Sequence, residues 1–334
     1  MRGKKWAFSI LAAILLFALT ACGSDKDKEN AKANNKDDSN AETITVKHDL
    51  GTTEIKGKPK KIVVLEFSFL DALANLNISP VGIADDSKPE RIIPEIKDKV
   101  KDYTSVGSRK QPNVEVISSL QPDLIIIDSS RQSHKDIYKQ LSTIAPTIGF
   151  QSSNQTYDQT LEQFKQIAHA VGEDQKGDEV LKKHNEKVAN FQKELDESKF
   201  KDLVIAPAHA TVDKMFLHSD LSYVGTIFKK LGLPTALQDK DAQAFKETAG
   251  GPYYNANLEQ FLKINPDVLF LMTDGEKTVE KDWETEALWK ETKVANNKQI
   301  YYFDRMTWAR FRGLIPAEII MDQTIDTLKK IEKK

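Results

Sequence analysis

Seven arginines stand against 41 lysines in this chain, and Arg2 belongs to a basic leader, so the body carries six: Arg91, Arg109, Arg131, Arg305, Arg310 and Arg312. A chain that puts nearly all its positive charge on lysine uses arginine for geometry. The guanidinium is a planar fork of donors that matches a carboxylate, whereas an ammonium acts as a point charge. Arg131 follows the apolar run Leu124 to Ile127 after Asp128, Ser129 and Ser130, and Arg305 follows Ile300 to Phe303 after Asp304. Both fall at carboxyl ends of expected strands, where parallel sheets hold their ligands. Arg109 lies in a Val106-Gly107-Ser108 turn and Arg91 in a Pro-flanked loop. Arg310 and Arg312 alternate, so they share a face if 308–312 is extended and diverge if it is helical. The set describes a positive cleft for a compact ligand bearing several carboxylates. Scattered surface ion pairs, each worth little, are the competing account.

His209, in Ala206-Pro207-Ala208-His209-Ala210, directly follows an expected strand and is a candidate for the same cleft; a histidine that merely holds its loop fits nearly as well. Tyr253 and Tyr254, with Trp308, are candidates for an aromatic wall, for which packing between lobes is the alternative. None of the six histidines forms an HExxH pair and Cys22 is the only cysteine, so no protein-ligated metal and no intrinsic cofactor are expected. A Gly-x-Ser-x-Gly elbow, a Gly-x-Gly-x-x-Gly loop and a phosphate-binding loop are all missing, so the chain reads as a binder and not an enzyme. Fifty acidic against 48 basic residues give a formal net charge of -2, which excludes a nucleic-acid binder held by a basic surface.

The elements that must carry these residues follow from length and patterning. At 334 residues the chain exceeds one ordinary core, and two lobes are expected. Residues 1–21 form a basic start, an apolar run Trp6 to Leu19 and a small-residue end, an export signal. Residues 22–42 are Lys, Asp, Asn and Ala with little to bury, a solvated tether. Short branched runs, Ile62 to Leu65, Val81 to Ile83, Leu124 to Ile127, Leu203 to Ala206, Val268 to Met272 and Ile300 to Phe303, read as strands. Amphipathic stretches Phe69 to Leu76, Val114 to Ser119, Tyr223 to Leu231 and Leu258 to Ile264 read as helices between them. The order gives an α/β fold with largely parallel sheets. One pattern occurs twice: Asn113, Glu115, Pro122, Asp123 before Leu124 to Ile127, and Asn257, Glu259, Pro266, Asp267 before Val268 to Leu271. The lobes are then 43–156 and 198–334, joined by a helical segment 157–197 in which Gly172 and Gly177 mark a break and Asp178 to Leu195 forms one long helix. A single helical link predicts modest opening.

Leu19-Thr20-Ala21-Cys22 resembles a bacterial lipobox, which implies acylation of Cys22 and anchorage at the extracellular face of a membrane. With the twin Pro-Asp strands, the linking helix and the arginine loops, the chain from about Ile44 onward resembles the siderophore-binding lipoproteins of iron-uptake ABC transporters. These are two-lobed, class III substrate-binding proteins with a helical backbone. More narrowly it is similar to receptors for citrate-based, α-hydroxycarboxylate siderophores, including the ferric dicitrate and staphyloferrin A receptors. The resemblance implies a ferric siderophore held by Arg91, Arg109, Arg131, His209, Arg305, Arg310, Arg312 and Tyr254, with Fe(III) bound only through the siderophore. It also implies docking of Glu115 and Glu259 on a membrane permease, and a monomer on a Gram-positive cell. A hydroxamate, catecholate or haem receptor, or an adhesion or scaffold lipoprotein without a small-molecule ligand, are the alternatives.

Overall fold

The computed structural model describes residues 42–195, 199–200, 202–238, 252–275 and 277–332. The export signal, Cys22 and all of the tether but Glu42 lie outside the described residues. The body opens with an antiparallel hairpin, β1 (Thr43–His48) and β2 (Gly51–Lys56). The N-terminal lobe is built on β3 (Ile62–Val64), β4 (Gly82–Ile83), β5 (Thr104–Ser105), β6 (Leu124–Asp128) and β7 (Thr147–Phe150). All five are parallel, in the order β5-β4-β3-β6-β7. The inner strands β3 and β6 are apolar on both faces because helices cover both, while the edge strand β5 is polar and exposed. Ile62, Val64, Leu124 and Ile126 enter one core, while Val63, Leu65, Ile125 and Ile127 enter the other.

The C-terminal lobe repeats the scheme with β8 (Ile205–Ala210), β9 (Met215–His218), β10 (Tyr253–Ala256), β11 (Val268–Thr273) and β12 (Ile300–Asp304), ordered β10-β9-β8-β11-β12. Here β8, β11 and β12 are parallel, and β9 is the reversed strand, pairing antiparallel with both β8 and β10. The strand expected over Leu203 to Ala206 begins later and runs to Ala210, so His209 lies within β8 and does not follow it. Proline seldom occupies a central strand. Pro207 is tolerated because it pairs with Phe270 of β11 while the β9 register begins only at Ala208.

The twin sequence pattern is a structural device used once per lobe. Asn113 caps the helix Val114–Ser119 and Asn257 caps Leu258–Ile264, each accepting a backbone N–H with its side chain. Left-handed Gln121 and Asn265 turn the chain back (φ 47° and 45°). The aspartate then staples the next strand to its parallel neighbour. Asp123 Oδ2 accepts Lys60 and Lys61 N–H at 2.9 Å, and Asp267 Oδ2 accepts Val204 N–H at 2.8 Å.

Between the lobes the chain forms two helices, Tyr157–Ala170 and Asp174–Glu194. The first ends at Gly172, whose φ of +68° suits glycine. Gly177 is not a break but sits inside the second helix, where a Cβ would come within 2.8 Å of Ala168 Cβ, so it is the close-packing point of the helix pair. Three helices, rather than one, bind the lobes together. Tyr157 lies in the C-terminal core, while Phe164, Ile167 and Leu181 lie in the N-terminal core and Val188 returns to the C-terminal one. The last helix, Leu314–Glu332, puts Leu314 in the N-terminal core and Ile320, Met321 and Ile325 in the other.

Candidate functional site

In each sheet the strand order reverses about its first strand, between β3 and β6 and between β8 and β11. Loops leaving adjacent strands there diverge to opposite sides and open a crevice at the carboxyl ends. Glu66 and Arg131 stand at that point in the N-terminal lobe, and His209 and Asp274 stand there in the C-terminal lobe.

The N-terminal arginines are held by acids. Glu66 is buried and caps the helix Phe67–Asn75. Its Oε1 accepts Arg109 Nη1 at 2.8 Å, and its Oε2 accepts Arg131 Nε and Nη2 at 3.0 and 2.7 Å. Burial works to raise the Glu66 carboxyl, but Arg109, Arg131 and Arg312 outweigh it and pull it down to about 2. Asp86 takes the backbone N–H, Nε and Nη2 of Arg109 at 2.9, 3.1 and 2.8 Å, and Arg91 Nη1 at 2.5 Å. The Arg109 guanidinium also lies 4.0 Å from the centre of the Phe67 ring. Buried His134 ties this loop to the sheet: its Nδ1 accepts Asp128 N–H at 3.0 Å, so its Nε2–H donates to Arg109 O at 2.8 Å.

The C-terminal arginines are poorly satisfied by comparison. Arg305 Nη1 and Arg310 Nη2 both reach Asp274 Oδ2, at 3.0 and 2.7 Å, and Arg312 Nη1 reaches only Ala309 O at 3.3 Å among backbone acceptors. The Nε atoms of Arg305, Arg310 and Arg312 are all buried with no hydrogen-bond partner among the described residues. Buried donors are ordinarily paired, so three orphans in eight residues mark a place where acceptors belong. The segment is neither extended nor α-helical. Met306–Arg310 forms a single π-turn closed by Phe311 N–H on Met306 O at 2.8 Å, and the five-residue step puts Arg305 and Arg310 on one side, where they share Asp274.

The two sets face one another. Arg312 contributes to the field that holds Glu66 ionised, and the Arg91 guanidinium, pushed down by its burial, is pushed further by Arg310 across the gap. His209 completes the C-terminal wall, stacked on Phe216 at 4.8 Å with its Nδ1 2.8 Å from His218 Nε2. Burial, His218, Arg305 and Arg310 drive the His209 imidazole down to about 2, and burial with Arg305 drives His218 down to about 3, so both rings are neutral. Tyr253 lies against both rings at 5.8 and 4.7 Å and beside Arg312 and Arg305. Tyr254 points to the other side of β10 and is buried in the apolar core with Leu217 and Phe261. Trp308 is likewise core, stacked 4.1 Å from Phe303 with its indole N–H on Gln323.

The structure thus brings together Arg91, Arg109, Arg131, His209, Arg305, Arg310 and Arg312, and sets Tyr254 apart. Glu66, Asp86, His134, His218 and Asp274 were not singled out from the sequence. Three of them carry the very signal that marked Arg131 and Arg305, since Glu66, Asp86 and Asp274 also stand just beyond the carboxyl ends of strands. A depression of about 320 Å³ is lined by Asp128, Ser130, Arg131, Gln132, Ser133 and Ser153. Among the described residues no group of three or more His, Cys, Asp or Glu could hold a metal ion. Glu115 and Glu259 are exposed at the second position of their two helices.

Residues 62–306 match the family model described as periplasmic binding protein. The chain is 42% identical over 327 residues to the Fe(3+)-citrate-binding protein YfmC of Bacillus subtilis, covering 98% of this chain and 97% of that protein. It is 36% identical over 289 residues to the Fe(3+) dicitrate-binding periplasmic protein FecB of Escherichia coli, covering 86% and 91% of the two. Among solved structures, Staphylococcus aureus SirA complexed with staphyloferrin B superposes with a TM-score of 0.72 at 30% identity over 85% of this chain and 98% of that one.

Proposed function

From the premise that the chain belongs to the periplasmic binding protein family, as a non-catalytic siderophore-binding component of an ABC-type iron-uptake transporter, we propose that its cargo is a ferric citrate-type siderophore, ferric dicitrate or staphyloferrin A. The observation that carries this reading is the trio of buried Nε donors on Arg305, Arg310 and Arg312 that have no partner among the described residues, with Arg310 close enough to Arg91 for their charges to repel. Among the described residues five of the six guanidiniums make ion pairs, and they share four carboxylates, Glu66, Asp86, Asp128 and Asp274, so with Arg312 the cleft keeps net positive charge. In such a complex the hydroxyl and carboxylate oxygens of citrate wrap the iron. The outer carboxylate oxygens remain for the arginines, which grip the cargo without touching the metal. Neutral His209 offers one further ring nitrogen toward the ligand. Two relatives whose names specify ferric citrate support the same chemistry.

The protein works as a monomer tethered through acylated Cys22 to the extracellular face of a Gram-positive cytoplasmic membrane. Glu115 and Glu259, one exposed carboxylate per lobe in matching positions, present the loaded cleft to the permease. The test is a titration of residues 43–334 with ferric citrate, ferric staphyloferrin A and their iron-free forms, followed by tryptophan fluorescence. Submicromolar, saturable binding of one ferric complex, weakened by Arg310→Ala, is expected. Saturation only by a hydroxamate, a catecholate or haem would replace the citrate assignment with that class.

A further inference from the structure

We propose that Asp274 sets the specificity of the cleft: it is a built-in carboxylate occupying the place a ligand carboxylate takes between Arg305 and Arg310, and the cargo must displace it. The inference rests on the cleft being a site for carboxylate ligands. Asp274 bonds both arginines through one oxygen, Oδ2, and through a single terminal nitrogen of each. This is not the two-point grip a guanidinium can give, and the Nε of each has no partner among the described residues. The N-terminal acids are held quite differently. Glu66 and Asp86 each engage two arginines through several bonds, and Glu66 is sealed from solvent. The Asp274 side chain is 34% exposed. It stands on the corner after β11, followed by Gly275 at φ +82°, where a Cβ would meet nothing within 4 Å. The corner is unpacked, and Asp274 can turn to solvent without disturbing the core.

Binding is then an exchange. A ligand with one free carboxylate wins the two terminal contacts only by releasing those of Asp274, which leaves little net gain. A cargo with several carboxylates also reaches the three Nε donors and Arg91, and the exchange becomes favourable. Asp274 thereby holds off simple carboxylates and admits the multiply anionic ferric complex.

The test compares the mature wild-type chain with Asp274→Asn and Asp274→Ala, each checked for an unchanged melting temperature. Iron-free citrate should bind both variants at least about tenfold more tightly, about 1.4 kcal/mol, and the preference for ferric over iron-free citrate should shrink. Affinity that falls or stays level for both ligands would show that Asp274 merely anchors the arginines, and the proposal fails. If no ferric complex binds the wild type, the functional reading fails separately. The exchange is then judged on arginine side-chain ¹⁵N spectra, where citrate must perturb the Arg305 and Arg310 Nε–H signals at lower concentration in Asp274→Asn than in wild type. Equal or absent perturbation overturns it.

Discussion

The six arginines differ in how far their hydrogen bonds are already met within the protein. Six residues chosen for rarity and for their places after strands do converge, yet their partners were hidden because they lie far away in sequence: Glu66 meets Arg109 and Arg131 across 43 and 65 positions. Pairing divides the set into two jobs. Arg109 is nine-tenths buried and satisfies two carboxylates, so it is part of the folded core of the site. Removing it leaves buried Glu66 to Arg131 alone, with Oε1 short of its arginine, and takes the Nε and Nη2 donors from Asp86; breaking a buried pair costs up to about 3–5 kcal/mol, and the remaining arginines offset part of that. Arg109→Ala should therefore lower the urea midpoint sharply. Arg312 holds only Ala309 O and the Tyr253 side chain by hydrogen bonds among the described residues, and its buried Nε is still to be offered. Arg312→Ala should lower the midpoint much less than Arg109→Ala and weaken the ferric complex by roughly tenfold or more, the worth of a charge-assisted hydrogen bond. Equal effects of the two substitutions on stability would contradict this division.

At the level of elements, strands buried on both faces and helices with strong caps were legible, since their apolar runs and Asn, Pro and Asp punctuation are local. The antiparallel β9 and β10, the strand through Pro207 and the helix Leu314–Glu332 were not, because their placement depends on contacts made across the fold. The clearest such contact is Asp71, in the N-terminal helix Phe67–Asn75, whose carboxylate accepts Leu314 and Ile315 N–H at 2.8 and 3.1 Å and so caps the last helix from the other lobe. Gly313 is required there, since a Cβ would fall 2.0 Å from Asp71 Oδ2. Burial, resisted by the two backbone donors, pushes the Asp71 carboxyl up to about 7 from 3.8. Its folded value exceeds its unfolded one, so the folded state binds the extra proton between them, and this contribution to stability grows as pH falls from about 7 toward about 4. Glu66 has the opposite sign. Held at about 2 against 4.5, it stabilises fully above the unfolded value and loses its contribution as pH falls from there toward 2. Urea midpoints at about pH 5 and about pH 8 should thus differ less in Asp71→Asn than in wild type. An identical difference in the two proteins would remove Asp71 as the titrating group.

For the whole molecule, the sequence announced a repeated lobe, and the repeat is real down to the staple at Asp123 and Asp267. It could not announce that three helices would share both cores, because a helix's two ends look alike in composition whichever lobe they enter. Shared cores resist a wide swing, so ligand saturation should leave the small-angle scattering curve of the body nearly unchanged, where a flexible two-strand hinge would compact it visibly. A rigid receptor must signal its cargo through surfaces already in place, and this gives Glu115 and Glu259 their interest. Each is exposed near the start of a capped helix, where an acid gains about 0.3–1 kcal/mol from the helix dipole. That benefit alone explains the residues if they serve only their helices. Glu115→Gln with Glu259→Gln separates the two roles, because the side-chain size is kept and only the charge is lost. The double variant should bind the ferric complex with wild-type affinity and lose no more than about 2 kcal/mol of stability, while cells relying on it stop accumulating iron from that siderophore. Undiminished uptake would reduce both glutamates to helix-end acids and move the permease contact elsewhere on the two lobes.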